Sequence, residues 1–300
     1  DEFVVGLSEV GEVARVDLEN RIVYTQGEAE FTYDYLVIGL GSEPADFNIP
    51  GVAEYAYQFK TIEHGLMIYQ RLGSLFSDIK ESRRNSNIKI VIAGGGFTGI
   101  EFAAEVAVSV HKIAREYSIN QRAVQLTIIE AGERILPDIS DNERRIITDR
   151  LTGLGVVVIA GAKVQEVGSD FVKLSNGQTI ASDLTAWTAG IQPNRFLKNI
   201  VGLVLTNKGR IVVDEHLNVV NNSTVFAVGD AVEFVDHKSK KSEPSLAYVA
   251  ISHGKVVAEN IIRSINKKEF KSHLPVKQTW VAPVGGKFAV AHLGHLGTVK

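Results

Sequence analysis

The chain has 300 residues, 45% hydrophobic and 22% charged, with a formal charge of −3 and a pI near 6.3. The length predicts about two domains, the composition argues against disorder, and the charge offers no basic excess for nucleic acid. Cysteine is absent, which excludes disulfides, thiolate metal sites and electron transfer through a protein thiol.

Nowhere do 18 apolar residues run together, so no transmembrane helix is expected. Asp1 to Val5 read as the middle of a strand rather than a signal peptide, and there is no initiator Met. A fragment or a processed form is the expectation. Val13 to Val23 reads as a hairpin around Leu18-Glu19-Asn20-Arg21. Tyr35-Leu-Val-Ile-Gly39 is a short apolar strand ending in glycine, followed by Gly41. From Thr61 to Ser82, apolar residues recur every three or four positions, which predicts an amphipathic helix. Arg83 to Asn87 is polar and is a candidate boundary.

Ile88 to Ala93 predicts a buried strand, with a long helix behind it. Val124 to Glu130 is the next strand, and a helix opens at Asp141 and stops at Gly153 or Gly155. Val156 to Ile159 is a strand. Lys163 to Val167 and Phe171 to Leu174 pair as a hairpin, and Asn176-Gly177 marks a tight turn. Strands follow at Leu184 to Thr188, Ile211 to Val213 and Val225 to Val228, then a helix from about Ser245 to Ile265. Short strands alternating with longer helices predict an α/β fold.

Between the strand at Ile88 and its helix stands Gly94-x-Gly96-x-x-Gly99. Gly94 allows the tight turn, Gly96 lets a pyrophosphate approach the backbone, and Gly99 lets the helix pack on the strand. The helix N-terminus offers free N–H groups to phosphates. Glu130 ends the next strand. It lies about 30 positions past Gly99, beyond the usual spacing of about 20, and a long helix accounts for the excess. Its carboxylate suits ribose hydroxyls and repels a 2′-phosphate, which favours NAD over NADP; Arg134 nearby acts the other way.

Two further segments belong to a different unit. One is the strand with Gly39 and Gly41. The other is Thr224-Val-Phe-Ala-Val-Gly229-Asp230-Ala231, an apolar strand ending in Gly-Asp. An Asp there can accept from a polyol, and Gly229 permits close backbone approach. Alone, either segment also reads as a buried strand with an ordinary turn.

Together with the Gly94 turn, these segments resemble the two-dinucleotide-binding flavoproteins, the pyridine nucleotide–disulfide oxidoreductase superfamily, over nearly the whole chain. The resemblance implies FAD/NAD(P)-binding Rossmann-like domains, with an NAD domain inserted in a split FAD domain. It puts part of the FAD domain at 1–60, the NAD domain at 61–189, the return to the FAD domain at 190–265 and the start of a C-terminal domain at 266–300. The family's first FAD fingerprint is missing, so the N-terminal part of the FAD domain is expected to be absent. The family's flavin-holding Gly-Asp falls on Gly229 and Asp230, its short glycine motif on Gly39 and Gly41, and the helix aimed at the flavin on Ala247 to Asn260.

Without Cys, the disulfide reductases are excluded on chemical grounds, and sulfide:quinone oxidoreductase is disfavoured. The texts Gly94-Gly-Gly-Phe-Thr-Gly99-Ile-Glu101-Phe-Ala-Ala-Glu105 and Trp187-Thr-Ala-Gly190-Ile191 look most like type II NADH dehydrogenase. That resemblance implies NAD and FAD as cofactors, hydride transfer from NADH to FAD, and a quinone acceptor. It puts Glu101 near the nicotinamide and flavin, where an acid could orient the ring; the other reading is a helix-terminal Glu facing the dipole. Where such enzymes carry two Gln, this chain has Tyr248 and Ser252. Tyr248 could stack on a quinone or belong to the core. A homodimer, a cytoplasmic location and peripheral attachment at the inner membrane face are further expectations. The basic cluster Lys267, Lys268 and Lys271 reads first as a solvated loop. The eight His residues, His292 and His295 included, show no metal-ligand spacing, so no metal is expected. Two alternatives stay open: a soluble NADH oxidase or ferredoxin-reductase-like enzyme, and a redox-sensing NAD/FAD-binding module with little turnover.

Overall fold

A computed structural model of the chain describes residues 11–81, 87–116, 120, 123–236, 240–276, 279–294 and 298–299. The strand expected at Asp1 to Val5, most of the polar stretch from Arg83, and His295 lie outside the described residues. The chain forms two compact units, 1–43 with 192–276 and 44–191 with 277–300. The second is thus an insertion in the sequence of the first.

The inserted unit is built on a parallel sheet of five strands. Their order is Ala56–Gln58, Leu184–Trp187, Ile88–Ala93, Val124–Ile129 and Val156–Ile159. The middle strand is apolar except for Lys89, and its other five residues are buried. A parallel strand covered on both faces has that composition because neither face meets water. The helices Ile62–Lys80, Phe97–Glu116 and Asp141–Gly153 supply the cover. Sequence chemistry fixes where two of them begin. Thr61 caps the first, accepting from the His64 N–H at 3.3 Å. Ser140 and Glu143 form a reciprocal capping box on the third. That helix ends at Gly153, one of the two stops the sequence offers.

The other unit holds an antiparallel sheet of Val13–Asp17, Ile22–Thr25 and Glu30–Thr32, the first two being the expected hairpin. Leu36–Ile38 pairs in parallel with Val225–Ala227, and the helix Ala247–Ile265 packs beside them. Parallel pairing across so long a sequence interval is what a chain interrupted by an inserted domain produces.

The units divide at 43/44, 191/192 and 276/277, where the sequence suggests 60/61, 189/190 and 265/266. Residues 44–60 join the inserted unit because Ala56–Gln58 is the edge strand beside Leu184–Trp187, and Val52 is fully buried there. Residues 266–276 stay with the first unit. Asn260, fully buried, grips Lys271 through both backbone groups, at 2.9 Å to its carbonyl and 2.7 Å from its N–H. Strands Trp280–Pro283, Ala289–His292 and Thr298–Val299 return to the inserted unit, where His292 meets Glu143 at 2.8 Å.

Candidate functional site

From Ile88–Ala93 the chain steps outward to Val124–Ile129 and Val156–Ile159, then returns on the opposite side at Leu184–Trp187. That reversal opens a crevice at the carboxyl ends of the strands, the place where ligands bind in open α/β sheets. Gly94 stands at its lip. Its φ is +118°, and a Cβ would lie 2.8 Å from the backbone of Thr188 and Ala189. At Gly99 a Cβ would lie 1.9 Å from the Gly94 carbonyl oxygen. Gly96 differs from both, since no atom lies within 4 Å of its would-be Cβ. The protein therefore has no packing reason for glycine at 96. The open space above it, at the start of the helix Phe97–Glu116, is a cradle that a side chain would fill.

The crevice is a cleft of about 610 Å³. Gly94, Gly96, Glu130, Lys163, Thr188 and Gly190 are among the residues lining it. Glu130 faces it, but its oxygens are already engaged. Oε2 accepts from the Gly95 N–H at 2.7 Å and Oε1 from the Gly132 N–H at 2.7 Å. Gly95 in turn accepts the Leu136 N–H at 3.1 Å. The middle glycine is thus held through both backbone groups. A Cβ there would lie 2.7 Å from Ile135 and 2.9 Å from Glu130. The fingerprint leaves this position free, whereas here a side chain would have to push Ile135 or Glu130 aside; the run of three glycines was the available signal. The loop carrying Ile135 and Leu136 is itself anchored by buried Arg144, whose guanidinium donates to the carbonyls of Ile135, Leu136 and Ile139. Arg134 turns toward Asp141 at 3.2 Å. The basic residue lining the cleft is Lys163, which sequence spacing does not single out.

Glu101 lies one turn into the helix and is half-buried. Burial pushes its carboxyl above the usual range, and no described residue bonds it. Glu105, on the next turn, accepts the Gly286 N–H at 3.1 Å, a structural contact. Trp187 is buried with its indole N–H on the Ala45 carbonyl at 2.7 Å, which fixes the strand end. Thr188 follows it and donates to the Ala93 carbonyl at 2.9 Å. Gly190 has φ +124°, with Phe47 against it.

In the other unit, Val225–Ala227 runs into a single 3-10 turn, Gly229–Ala231. Gly229 has φ +69°, and a Cβ would lie 3.3 Å from that of Ala250. Asp230 is half-buried. Its Oδ2 accepts from the Ser42 hydroxyl at 2.7 Å, while Oδ1 has no hydrogen-bond partner among the described residues. Gly39 lies against Val228, and Gly41 has φ +65° with open space beside it. Tyr248 and Ser252 lie half-buried on the helix Ala247–Ile265. Phe270 packs edge-on against Phe226 and His216, and Lys271 pairs with Glu259 at 2.8 Å, so this stretch of the basic cluster is tied to the fold.

A family profile described as pyridine nucleotide-disulphide oxidoreductase matches residues 4–254. An internal alternative NAD(P)H-ubiquinone oxidoreductase A1 of Solanum tuberosum mitochondria is 30% identical, over 95% of this chain and 59% of that protein. A type II NADH:quinone oxidoreductase of Staphylococcus epidermidis is 27% identical, over 94% of this chain and 70% of that one. The chain thus spans about 60 to 70% of the length of these relatives. NDH2 from Plasmodium falciparum, solved in complex with NADH, superposes with a TM-score of 0.84 at 18% identity, covering 95% of this chain and 75% of that one. At that identity the superposition speaks for the fold.

Proposed function

The chain belongs to the pyridine nucleotide-disulphide oxidoreductase family, and we propose that it is part of an enzyme that takes hydride from NADH onto FAD and passes the electrons to a quinone. The observation that carries this reading is the open cradle at Gly96, set on a helix N-terminus at the sheet's switch point. The names of the matched relatives support the quinone as acceptor.

The residues present fit both dinucleotides. For NAD, Gly94 and Gly99 shape the turn, Gly96 leaves room for the pyrophosphate, and Glu130 keeps further lone pairs for ribose hydroxyls beside its two backbone donors. Gly190 closes the cleft from the returning strand. Glu101 is the candidate to orient the nicotinamide. A half-buried carboxyl with no partner among the described residues can offer a bond to a carboxamide. For FAD, the Oδ1 of Asp230, unpaired among the described residues, is an acceptor suited to a ribityl hydroxyl, with Gly39, Gly41 and Gly229 allowing close approach. When bound, FAD supplies the two-electron acceptor that no side chain here can replace. Tyr248 is the proposed quinone contact.

Peripheral attachment at the inner face of a membrane is part of the proposal, since that is where a lipid-soluble quinone is met. Among the described residues, no helix is long and apolar enough to cross one. The deciding experiment is steady-state NADH oxidation by the full-length protein with a soluble quinone analogue. Quinone-dependent turnover supports the proposal. Turnover with oxygen alone selects the oxidase reading, and tight nucleotide binding without turnover selects the sensing module.

Two substitutions probe the sites separately. Asp230→Ala removes the acceptor and is expected to weaken FAD binding by roughly 5- to 150-fold, from about 1–3 kcal/mol for hydrogen bonds to a charged group. Titration of apoprotein reads it, and equal affinity would make Asp230 a strand cap only. Glu130→Gln puts an amide NH2 against the Gly95 or Gly132 N–H, two donors face to face. NADH affinity should fall by about tenfold, and the NADH/NADPH ratio should shrink as the repelling charge goes. An unchanged ratio would move discrimination to Lys163.

A further inference from the structure

The first unit contains a charged cluster that the proposed hydride chemistry does not use. Glu243, His253 and His273 come together there, with side chains 7%, 3% and 0% exposed. Glu243 Oε2 lies 3.0 Å from His253 Nε2 and 2.8 Å from His273 Nε2. Its Oε1 accepts the Val276 N–H at 3.0 Å. The two imidazoles stand edge to face, their centroids 4.6 Å apart. An isolated carboxylate in such a place would be costly, and three donors offset that cost here.

What gives the cluster a direction is the other nitrogen of His253. The Gly229 N–H donates to Nδ1 at 3.2 Å. Nδ1 therefore carries no proton, and a neutral ring must carry it on Nε2, the atom facing Glu243. Both nitrogens are committed, and so are the tautomer and the ring plane. That N–H belongs to the Val228–Gly229 peptide, which opens the turn Gly229–Ala231, so His253 holds the entry to the turn that carries the Asp230 carboxylate.

We propose that His253 is a positioning residue for the Gly229–Asp230 turn, oriented from behind by Glu243, and that it acts on flavin binding through that turn. The inference rests on the reading of Asp230 as a flavin contact.

A divalent cation is the competing use of the cluster. The three ligand atoms lie within 4.8 Å of one another. A cation on His253 Nε2 needs the lone pair there, which moves the proton to Nδ1 and sets it against the Gly229 N–H. The hydrogen-bonded arrangement keeps every contact, and the cation breaks one.

The test uses three variants of the full-length protein. His253→Asn keeps an acceptor near the Nδ1 position. His253→Gln keeps a donor near the Nε2 position. His253→Leu keeps neither. Two quantities are read: hydrogen exchange at the Gly229 amide, and the Kd of apoprotein for FAD. The expected result is at least tenfold faster exchange and at least tenfold weaker FAD binding in His253→Leu. His253→Asn should restore most of both, and His253→Gln should restore neither. Should His253→Leu not fold, the contrast between Asn and Gln carries the same decision. Equal values for Asn and Gln would reduce His253 to core packing and overturn the proposal. So would stoichiometric Co2+ binding by wild type that His273→Gln abolishes. If wild type binds no FAD, the flavin reading fails, while the exchange at Gly229 still reports whether His253 holds the turn.

Discussion

Gly96→Val is expected to raise the Kd for NADH more than about 100-fold, roughly 3 kcal/mol, while stability stays within about 0.5 kcal/mol of wild type. The separation of the two effects follows from the empty space above Gly96, where a Cβ meets no atom within 4 Å beyond its chain neighbours. Gly99→Ala is the contrasting case. Its Cβ would stand 1.9 Å from the Gly94 carbonyl oxygen, so the turn or the helix must shift. Overpacking of this kind costs about 1–3 kcal/mol or more, and stability and binding should fall together. NADH titration beside urea unfolding separates the two. Wild-type affinity in Gly96→Val would remove the pyrophosphate from this loop altogether.

Glu243→Ala is expected to cost about 3–5 kcal/mol of stability, the range for removing one partner from a buried charged network. It leaves His253 Nε2, His273 Nε2 and the Val276 N–H facing an empty place. Burial pushes the Glu243 carboxyl up, but the bonds from the two histidines and Val276 outweigh burial and hold it to about 2. A carboxyl lowered on folding stabilises the native state above its unfolded pKa, about 4.3. That contribution is lost as pH falls from there through about 2. Urea unfolding at pH 7, 4 and 2.5 should therefore show a steep acid loss in wild type and a shallower one in Glu243→Ala. Parallel acid limbs would mean that other carboxylates dominate.

The turn at Gly94, Gly96 and Gly99 was legible because its geometry is local: a strand, three residues and the first turn of a helix. The hairpin at Val13 and the helix from Asp141 were legible for the same reason. Residues 44–60 were not. Val52–Tyr55 and Ala56–Gln58 are too short to carry a period, and what places them is pairing with Leu184–Trp187, far along the chain. Glu130 was visible as an acid at a strand end. Its two bonds to backbone N–H groups were not, because they depend on the path of the 131–136 loop. Glu243, His253 and His273 sit on a loop, a helix and a second loop, at spacings that match no ligand pattern. Only the packed helix Ala247–Ile265 brings them into contact.

The grip of Glu130 and Leu136 on Gly95 has a thermodynamic consequence. A glycine-rich loop left to itself samples many shapes, and ordering each residue costs about 1–2 kcal/mol of backbone entropy. Here both bonds on Gly95 come from within the inserted unit, so that ordering belongs to the folding of the unit. Binding then needs no rare open conformer, and the intrinsic affinity is not diluted by a small competent fraction. Association should follow single-exponential kinetics with a rate linear in NADH concentration, set by encounter and not by rearrangement of the loop.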